Sequence, residues 1–536
     1  MNLTWRRSLA ALAWAAVGVT AQAADLPELN IDLKETTVSG ISSGAFMAVQ
    51  MGVAKSASVR GVAVTAGGPY FCALKDSQGS NLSFGVMASM ARCMQGDPMY
   101  PAQPITKTQL QDMAKAARDW GQQGKIDPVS NLARQAVWVF HGYNDGIVKR
   151  PVSDALVQWY AQFTPASQIF HKDDLNAAHA QISAACTGDS CNPCATTGKQ
   201  FINACTDRPS ASPAALYDAA GAALQMFYGP LERTATEKLG AKAQDFSQTP
   251  YLKLRGGSAV SQPADIAMGG TGYVYVPQAC KAGQPCRLHI AFHGCMQSAA
   301  TLGRAFVDGA GVNEWADANR LVVLYPQAMP TYPVASMSGS TPPLNPNGCW
   351  DWWGYNDKPK SSWFDPFGLM SKAAPVGTYA TAEGLQVAAV WRMAQKLAAK
   401  GAGASAAPAV GTAAPQLLAL DRSDDQVMLR WQPVSGASGY RVYRSSASQP
   451  AQALGSPVAQ LFWVDAGLQP QGSYRYTVRA VADGKEGQDS NAVSLSTAAR
   501  APTLAQCNPY FSLSQNKPVK KSVYAPMGVP TTDVCP

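Results

Sequence analysis

The sequence predicts an α/β fold with a mainly parallel sheet, followed by a small all-β sandwich, and three observations predict it. Between residues 25 and 400, short continuous apolar runs alternate with helix-like segments. Buried strands separated by helices are the pattern of a parallel sheet covered on both faces. Residues 401–413 then become rich in Ala, Gly and Pro, the composition of a linker. Beyond the linker the apolar period changes to two, which indicates half-buried antiparallel strands.

The elements follow in order. Arg6 and Arg7 precede an apolar run from Ser8 to Ala21, and Ala21-Gln22-Ala23 offers small residues at a cleavage position. Residues 1–23 therefore read as a secretory leader, too short in its apolar part to span a bilayer. Thr36–Val38 is a strand candidate leading into an apolar helix, Ala45–Ala54, and Gly61–Thr65 is the next strand. Val137–Phe140, Leu288–Phe292 and Leu321–Tyr325 are further buried strands, and Leu385–Leu397 is a helix. Residues 24–400 thus form the large unit. In residues 414–499, the runs Gln426–Trp431, Gly439–Arg444 and Tyr474–Ala480 alternate apolar and polar side chains, with Trp431 as the expected core residue. Residues 500–536 hold Cys507, Cys535 and a cluster of Lys517, Lys520 and Lys521, and form a C-terminal segment that is a candidate polymer-binding region.

Of 536 residues, 46% are hydrophobic, which excludes wholesale disorder. Only 15% are charged, and the net charge of +8 is spread without a basic run. A nucleic-acid binder would concentrate Lys and Arg on one face, so that class is set aside. No later stretch reaches 18 apolar residues, and no membrane span is expected. The 12 cysteines all follow the leader, and an even number in an exported chain reads as disulfides. The near pairs Cys280/Cys286 and Cys507/Cys535 are the simplest pairings. Cys191-Asn-Pro-Cys194 lacks a second CxxC or paired histidines, so no metal is expected.

Gly40-Ile41-Ser42-Ser43-Gly44 fits G-x-S-x-G, with a strand before it and an apolar helix after it. That context turns a weak motif into a candidate nucleophile elbow at Ser42. A serine nucleophile needs a base, and the base an orienting acid. The chain has five histidines. The strand Val137–Phe140 runs into His141-Gly-Tyr-Asn-Asp145, placing an acid where an α/β sheet presents one. His179 follows in a small-residue loop, Asn176–Ala180, and the order Ser42, Asp145, His179 is that of α/β-hydrolases. His171, beside Asp173 and Asp174, is the runner-up base, and His141 reads as a packed residue. One oxyanion amide is expected from Ser43. The other normally belongs to an HG-type loop before the nucleophile, but the loop that fits here, His293-Gly294-Cys295, comes after the triad. Circular permutation of the hydrolase order restores the sequence of parts, with Leu385–Leu397 as the helix that would precede the nucleophile strand.

Six ordered motifs carry a resemblance: Gly40–Gly44, His141–Asp145, Phe201–Cys205, Tyr217–Gly221, His293–Gln297 and Asn347-Gly-Cys-Trp-Asp-Trp-Trp353. Together they resemble the extracellular poly(3-hydroxybutyrate) depolymerases of the permuted type, over about residues 25–400. The turn Leu468–Tyr474 likewise resembles the tyrosine corner of a fibronectin type III module. The resemblance implies Ser42 as nucleophile, Asp145 as acid and His179 as base, with Ser43 and Cys295 as oxyanion amides. It further implies a Cys295–Cys349 disulfide and places Trp350 at the mouth of the site, against the polymer. Trp352 and Trp353, taken as residues, read as core packing. The segment Cys186–Cys205 and the stretch Thr206–Ala215 look enlarged, which alters the rim of the cleft.

The expected activity is a secreted or periplasmic serine esterase that needs no cofactor, acts on an insoluble aliphatic polyester and its oligomers, and works as a monomer. The rivals are a feruloyl or acetyl-xylan type esterase, a periplasmic hydroxyalkanoate oligomer hydrolase, and a non-catalytic surface-binding protein.

Overall fold

Strands β1 (Thr36–Ile41), β2 (Val59–Thr65), β3 (Ala136–Phe140) and β4 (Ile169–Lys172) come first along the chain, followed by three short ones: β5 (Gln181–Ile182), β6 (Asn192–Pro193) and β7 (Ile202–Ala204). Next come β8 (Gln244–Ser247), β9 (Thr271–Tyr275), β10 (Arg287–Phe292) and β11 (Leu321–Tyr325). The computed structural model describes residues 24–73, 89–95, 102–186, 188–207, 215–333, 341–357, 377–401 and 414–500, plus the backbone of Phe511–Ser512 and Lys517–Pro518. The leader, residues 402–413 of the linker, the Cys507/Cys535 pairing and most of the C-terminal segment lie outside the described residues.

Eight strands make one sheet in the order β4-β3-β2-β1-β10-β11-β9-β8. All neighbours pair in parallel except at β9, which is antiparallel to both β11 and β8. Read from the β8 edge, the central strand that ends in G-x-S-x-G lies fifth, and the strand ending in the HG loop lies beside it. This is the α/β-hydrolase sheet with its chain order permuted. The old connection is visible: the Leu29 N–H donates to Leu397 O at 2.7 Å, and Lys396 pairs with Glu28 at 2.6 Å. The start of the folded chain thus abuts the end of helix Leu385–Leu397, the short gap that permutation requires.

The apolar runs are continuous because successive side chains enter two cores. Val62, Val64, Val137, Val139, Leu288 and Ile290 face one, while Ala63, Trp138, Phe140, Ala291, Val323 and Tyr325 face the other. Helix α1 (Ser43–Ala54) is buried along its whole length, as its all-round apolar sequence requires.

Four disulfides form among the described residues: Cys72–Cys93, Cys194–Cys205, Cys280–Cys286 and Cys295–Cys349. The Cys194–Cys205 bridge uses one sulfur of the CxxC, and Cys186 and Cys191 are thiols. Burial and its neighbour Cys191 push the Cys186 thiol up to about 12.

Residues 414–500 form the sandwich, of β12 (Leu417–Arg422), β13 (Gln426–Trp431), β14 (Gly439–Ser446), β15 (Gln449–Ala453), β16 (Phe462–Ala466), β17 (Ser473–Ala482), β18 (Lys485–Asp489) and β19 (Val493–Ser496). One sheet is β12-β13-β16, and the other is β15-β14-β17-β18, with β19 also on β17. This is the type III topology. Trp431 is wholly buried between the sheets, and the Gln469 N–H donates to the Tyr474 hydroxyl at 3.0 Å, closing the tyrosine corner. The half-buried reading fails for β13, and its neighbour β16 shares the same burial. Val427, Leu429 and Trp431 fill the sandwich, but Met428, Phe462 and Val464 on the outer face join the hydrolase core beside Phe170 and Phe227. Period two in the sequence cannot distinguish water from a neighbouring module as the second face.

Candidate active site

Ser42 follows β1 and stands at the N-cap position of α1 with φ 56° and ψ −124°, outside the regions an L-residue prefers. The flanking glycines explain how the chain passes through that turn. A Cβ on Gly40 would stand 2.1 Å from Gly44 O, and one on Gly44 would stand 2.3 Å from His293 O. No side chain fits at either place, so the motif is a packing requirement as well as a conformational one. The crossing brings the start of α1 against the loop that follows β10.

His179 is buried, and its Nδ1 lies 2.8 Å from Asp145 Oδ2. The other carboxylate oxygen of Asp145 accepts the Ile147 and Val148 N–H groups at 2.8 and 3.0 Å. Burial alone would raise the Asp145 carboxyl. The His179 charge and hydrogen bond, His141 and the Ile147 amide outweigh it, and the carboxyl is held below its ordinary value. An ionised, fully engaged carboxylate fixes both the ring tautomer and its orientation.

Ser42 and His179 line one cleft of about 270 Å³, together with Ser43, Gly294, Cys295 and Met296. Among the described residues, no Lys, Arg, Asp or Glu lines it. Its walls are Phe46, Ile147, Phe201, Leu344, Trp352 and Trp353. The Ser43 and Cys295 N–H groups donate to no acceptor among the described residues. The turn that carries Cys295 is well fixed. The Gly294 N–H donates to Gln297 Oε1 at 2.8 Å, Met296 N–H to Asn347 O at 2.6 Å, and Gln297 Nε2 to Gln200 O at 3.1 Å. The Cys295–Cys349 disulfide ties it to the tryptophan-bearing segment.

Trp350 is a correction. It is 0% exposed and does not line the cleft. The disulfide draws its backbone onto the start of α1, where its N–H meets Ser43 Oγ at 3.3 Å. Its indole turns inward, donating from Nε1 to His293 O at 3.0 Å with its ring edge-on to Phe292. The tryptophans at the cleft are Trp352, stacked on Phe46 with centroids 4.1 Å apart, and Trp353. They are packed and cleft-lining at once, which the core expectation for them missed. Phe46 had a readable signal: it lies four residues after Ser42, one turn along the same helix face. Met90, Met94 and Met296, which also line the cleft, carried none.

The remaining histidines are structural. His141 Nε2 meets Val148 O at 2.9 Å, and His289 lies between Thr37 and Ser39 hydroxyls at 2.7 and 2.8 Å. His171, the runner-up base, sits on β4 outside the cleft against Ser153 at 3.2 Å, and burial pulls it down to about 4. With Asp154 and Asp173 it forms a cluster whose two carboxylates both pair with Arg150.

No family model matches the chain. It is 35% identical to a poly(3-hydroxybutyrate) depolymerase of Delftia acidovorans over 492 residues, 90% of this chain and 84% of the relative. It is 33% identical to a polyhydroxybutyrate depolymerase of Talaromyces funiculosus over 70% of this chain and 96% of the relative. Two solved structures are similar at 29% identity, covering 70% of this chain and 99% of theirs. They are a PHB depolymerase from Penicillium funiculosum, at TM-score 0.53, and a PHB depolymerase complexed with an R3HB trimer, at TM-score 0.52. With a strained serine, a paired histidine and aspartate and an uncharged cleft on one permuted hydrolase sheet, the chain belongs to the poly(3-hydroxybutyrate) depolymerase family, whose members are carboxylic ester hydrolases.

Proposed function

We propose that the enzyme hydrolyses poly(3-hydroxybutyrate) and its oligomers at Ser42, with His179 as general base and Asp145 as its orienting acid. The observation that carries this reading is the joint presence in one apolar cleft of Ser42, in its strained turn, and of His179, with its Nδ1 on Asp145 at 2.8 Å. His179 Nε2 takes the Ser42 proton as Oγ attacks the ester carbonyl. The tetrahedral oxyanion is held by the Ser43 and Cys295 N–H groups. His179 then returns the proton to the departing alkoxide, which leaves as the alcohol end of the polymer. Water, deprotonated by His179, attacks the acyl-enzyme and releases the 3-hydroxyacyl carboxylate. An uncharged polyester suits a cleft without charged walls, where Trp353 and Phe201 supply apolar contact.

The leader-like residues 1–23 and the four disulfides support an exported enzyme. One copy holds every proposed catalytic group, so catalysis needs no residue from a second copy.

The test is turbidity loss of purified granules alongside hydrolysis of p-nitrophenyl butyrate. Ser42→Ala and His179→Ala should each lower kcat on both substrates by at least about 10⁴-fold, with unchanged circular dichroism. Activity near that of the parent in either variant removes that residue from the mechanism. Hydrolysis of the small ester without granule clearing would favour an oligomer hydrolase.

A further inference from the structure

The acid–base half of the site is rooted at the edge of the sheet, where β4 meets the C-terminal sandwich. Lys172, the last residue of β4, is 0% exposed. Its Nζ lies 2.9 Å from Asp174, 2.8 Å from Asp207, 3.7 Å from Asp421 and 2.8 Å from Arg422 O. Asp421 and Arg422 belong to β12 of the sandwich. Burial would depress the lysine, but Asp421, Asp174 and Asp207 more than offset it and hold it charged. Asp421 is engaged from a second side, accepting the Tyr217 hydroxyl. One residue earlier, the His171 N–H donates to the Gln426 side chain of β13 at 2.8 Å. Strand β4 is an edge strand, so this bond gives an outward backbone donor a partner that no strand supplies.

The chain then runs from Lys172 to His179 in seven steps. Along the way, Lys172 O accepts the His141 N–H at 2.9 Å, and Leu175 O accepts the Tyr143 N–H at 3.0 Å. These bonds align the His179 loop with the Asp145 loop. A linker-borne spacer has no need for a buried cation ringed by carboxylates at its junction. Parting the modules would take Asp421 and the Arg422 carbonyl from the lysine and leave it with Asp174 and Asp207 alone.

We propose that the sandwich is a working part of the acid–base half: Asp421, Arg422 and Gln426 hold Lys172 and the end of β4, and through them position the loop that carries His179. Asp421, Gln426 and Lys172 are positioning residues, because none touches the cleft. The inference rests on the proposed role of His179.

The test uses the full chain bearing Asp421→Asn with Gln426→Ala, assayed on p-nitrophenyl butyrate, a soluble ester that needs no adsorption. Rates are normalised to sites titrated with a serine-reactive phosphonate, so that unfolded protein drops out. The expected result is a fall in kcat of tenfold or more with KM within twofold of the parent, and a matching slowing of phosphonate labelling. Should the double variant not fold, Gln426→Ala alone carries the test with an expected threefold fall in kcat. Parental kcat on the soluble ester, with or without loss of granule clearing, would overturn the inference and leave the sandwich a spacer. His179→Ala serves as the reference: if it is inactive while the sandwich variants are parental, the inference alone fails. If His179→Ala is itself active, the underlying role of His179 fails.

Discussion

The two halves of the proposed catalytic centre are held by different means. Ser42 and the Cys295 loop sit at the middle of the sheet, at the ends of β1 and β10, and are locked by backbone approach, glycine and the Cys295–Cys349 disulfide. His179 hangs from the edge, and its support is a network of side chains that reaches another module. Central strands have paired neighbours on both sides, so the chain there has few alternatives. An edge has an open side and must recruit a partner. The comparison teaches that the nucleophile half is intrinsic to the hydrolase sheet, whereas the base half draws on what covers its edge.

Substitution at the backbone lock should show the largest effect. Gly44→Ala places a Cβ against His293 O with only backbone to yield. We expect kcat on p-nitrophenyl butyrate to fall at least about 10³-fold, on the scale of losing an oxyanion donor, because both the elbow and the Cys295 turn must shift. A variant with parental kcat would show that the central half is softer than the comparison holds.

The tryptophans separate support from contact. Trp350→Ala should cost about 3–5 kcal/mol of stability, as for a wholly buried aromatic, read by chemical denaturation. Trp353→Ala should leave stability within about 1 kcal/mol and raise KM for a soluble 3-hydroxybutyrate oligomer severalfold. The reverse pattern would return Trp350 to the mouth of the site.

A further effect concerns pH. Asp351 accepts the Gly354, Tyr355 and Asn356 N–H groups, shaping the turn that presents Trp352 and Trp353. Burial first, then the charge of Asp357, lifts its carboxyl to about 7. With the folded value above the unfolded one, its contribution is fully present below about pH 4 and is lost as pH rises through about 7, at about 1.4 kcal/mol per pH unit. Denaturation of the parent and Asp351→Asn at pH 4.5, 6 and 7.5 should show the parent losing stability relative to the variant as pH rises. Parallel curves would mean that Asp351 is ionised throughout.

Much of this was legible in the residues. Gly40–Gly44 is a local steric device, so its five residues carry their own meaning. The short apolar strands were legible because both faces of a central sheet are dry, and the permutation because an HG loop after the triad breaks the hydrolase order. Trp350 shows the limit. Its neighbours in sequence, Trp352 and Trp353, have the same chemistry, and only the direction in which the Cys349 bridge turns the backbone separates core from cleft. Met428, Phe462 and Val464 show it again, since alternation cannot reveal that a second module lies on the outer face.

The sequence by itself determined the reaction class, the strained serine turn, the candidate acid and base, and the succession of an α/β unit and a sandwich. These depend on short-range sterics and on periodicity, which are properties of neighbouring residues. Only the tertiary structure decided which tryptophans meet the cleft and where the sandwich docks. It alone brought Lys172 of β4 beside Asp421 of β12, some 250 residues apart. Those outcomes depend on how distant surfaces bury one another, and no local pattern encodes the partner.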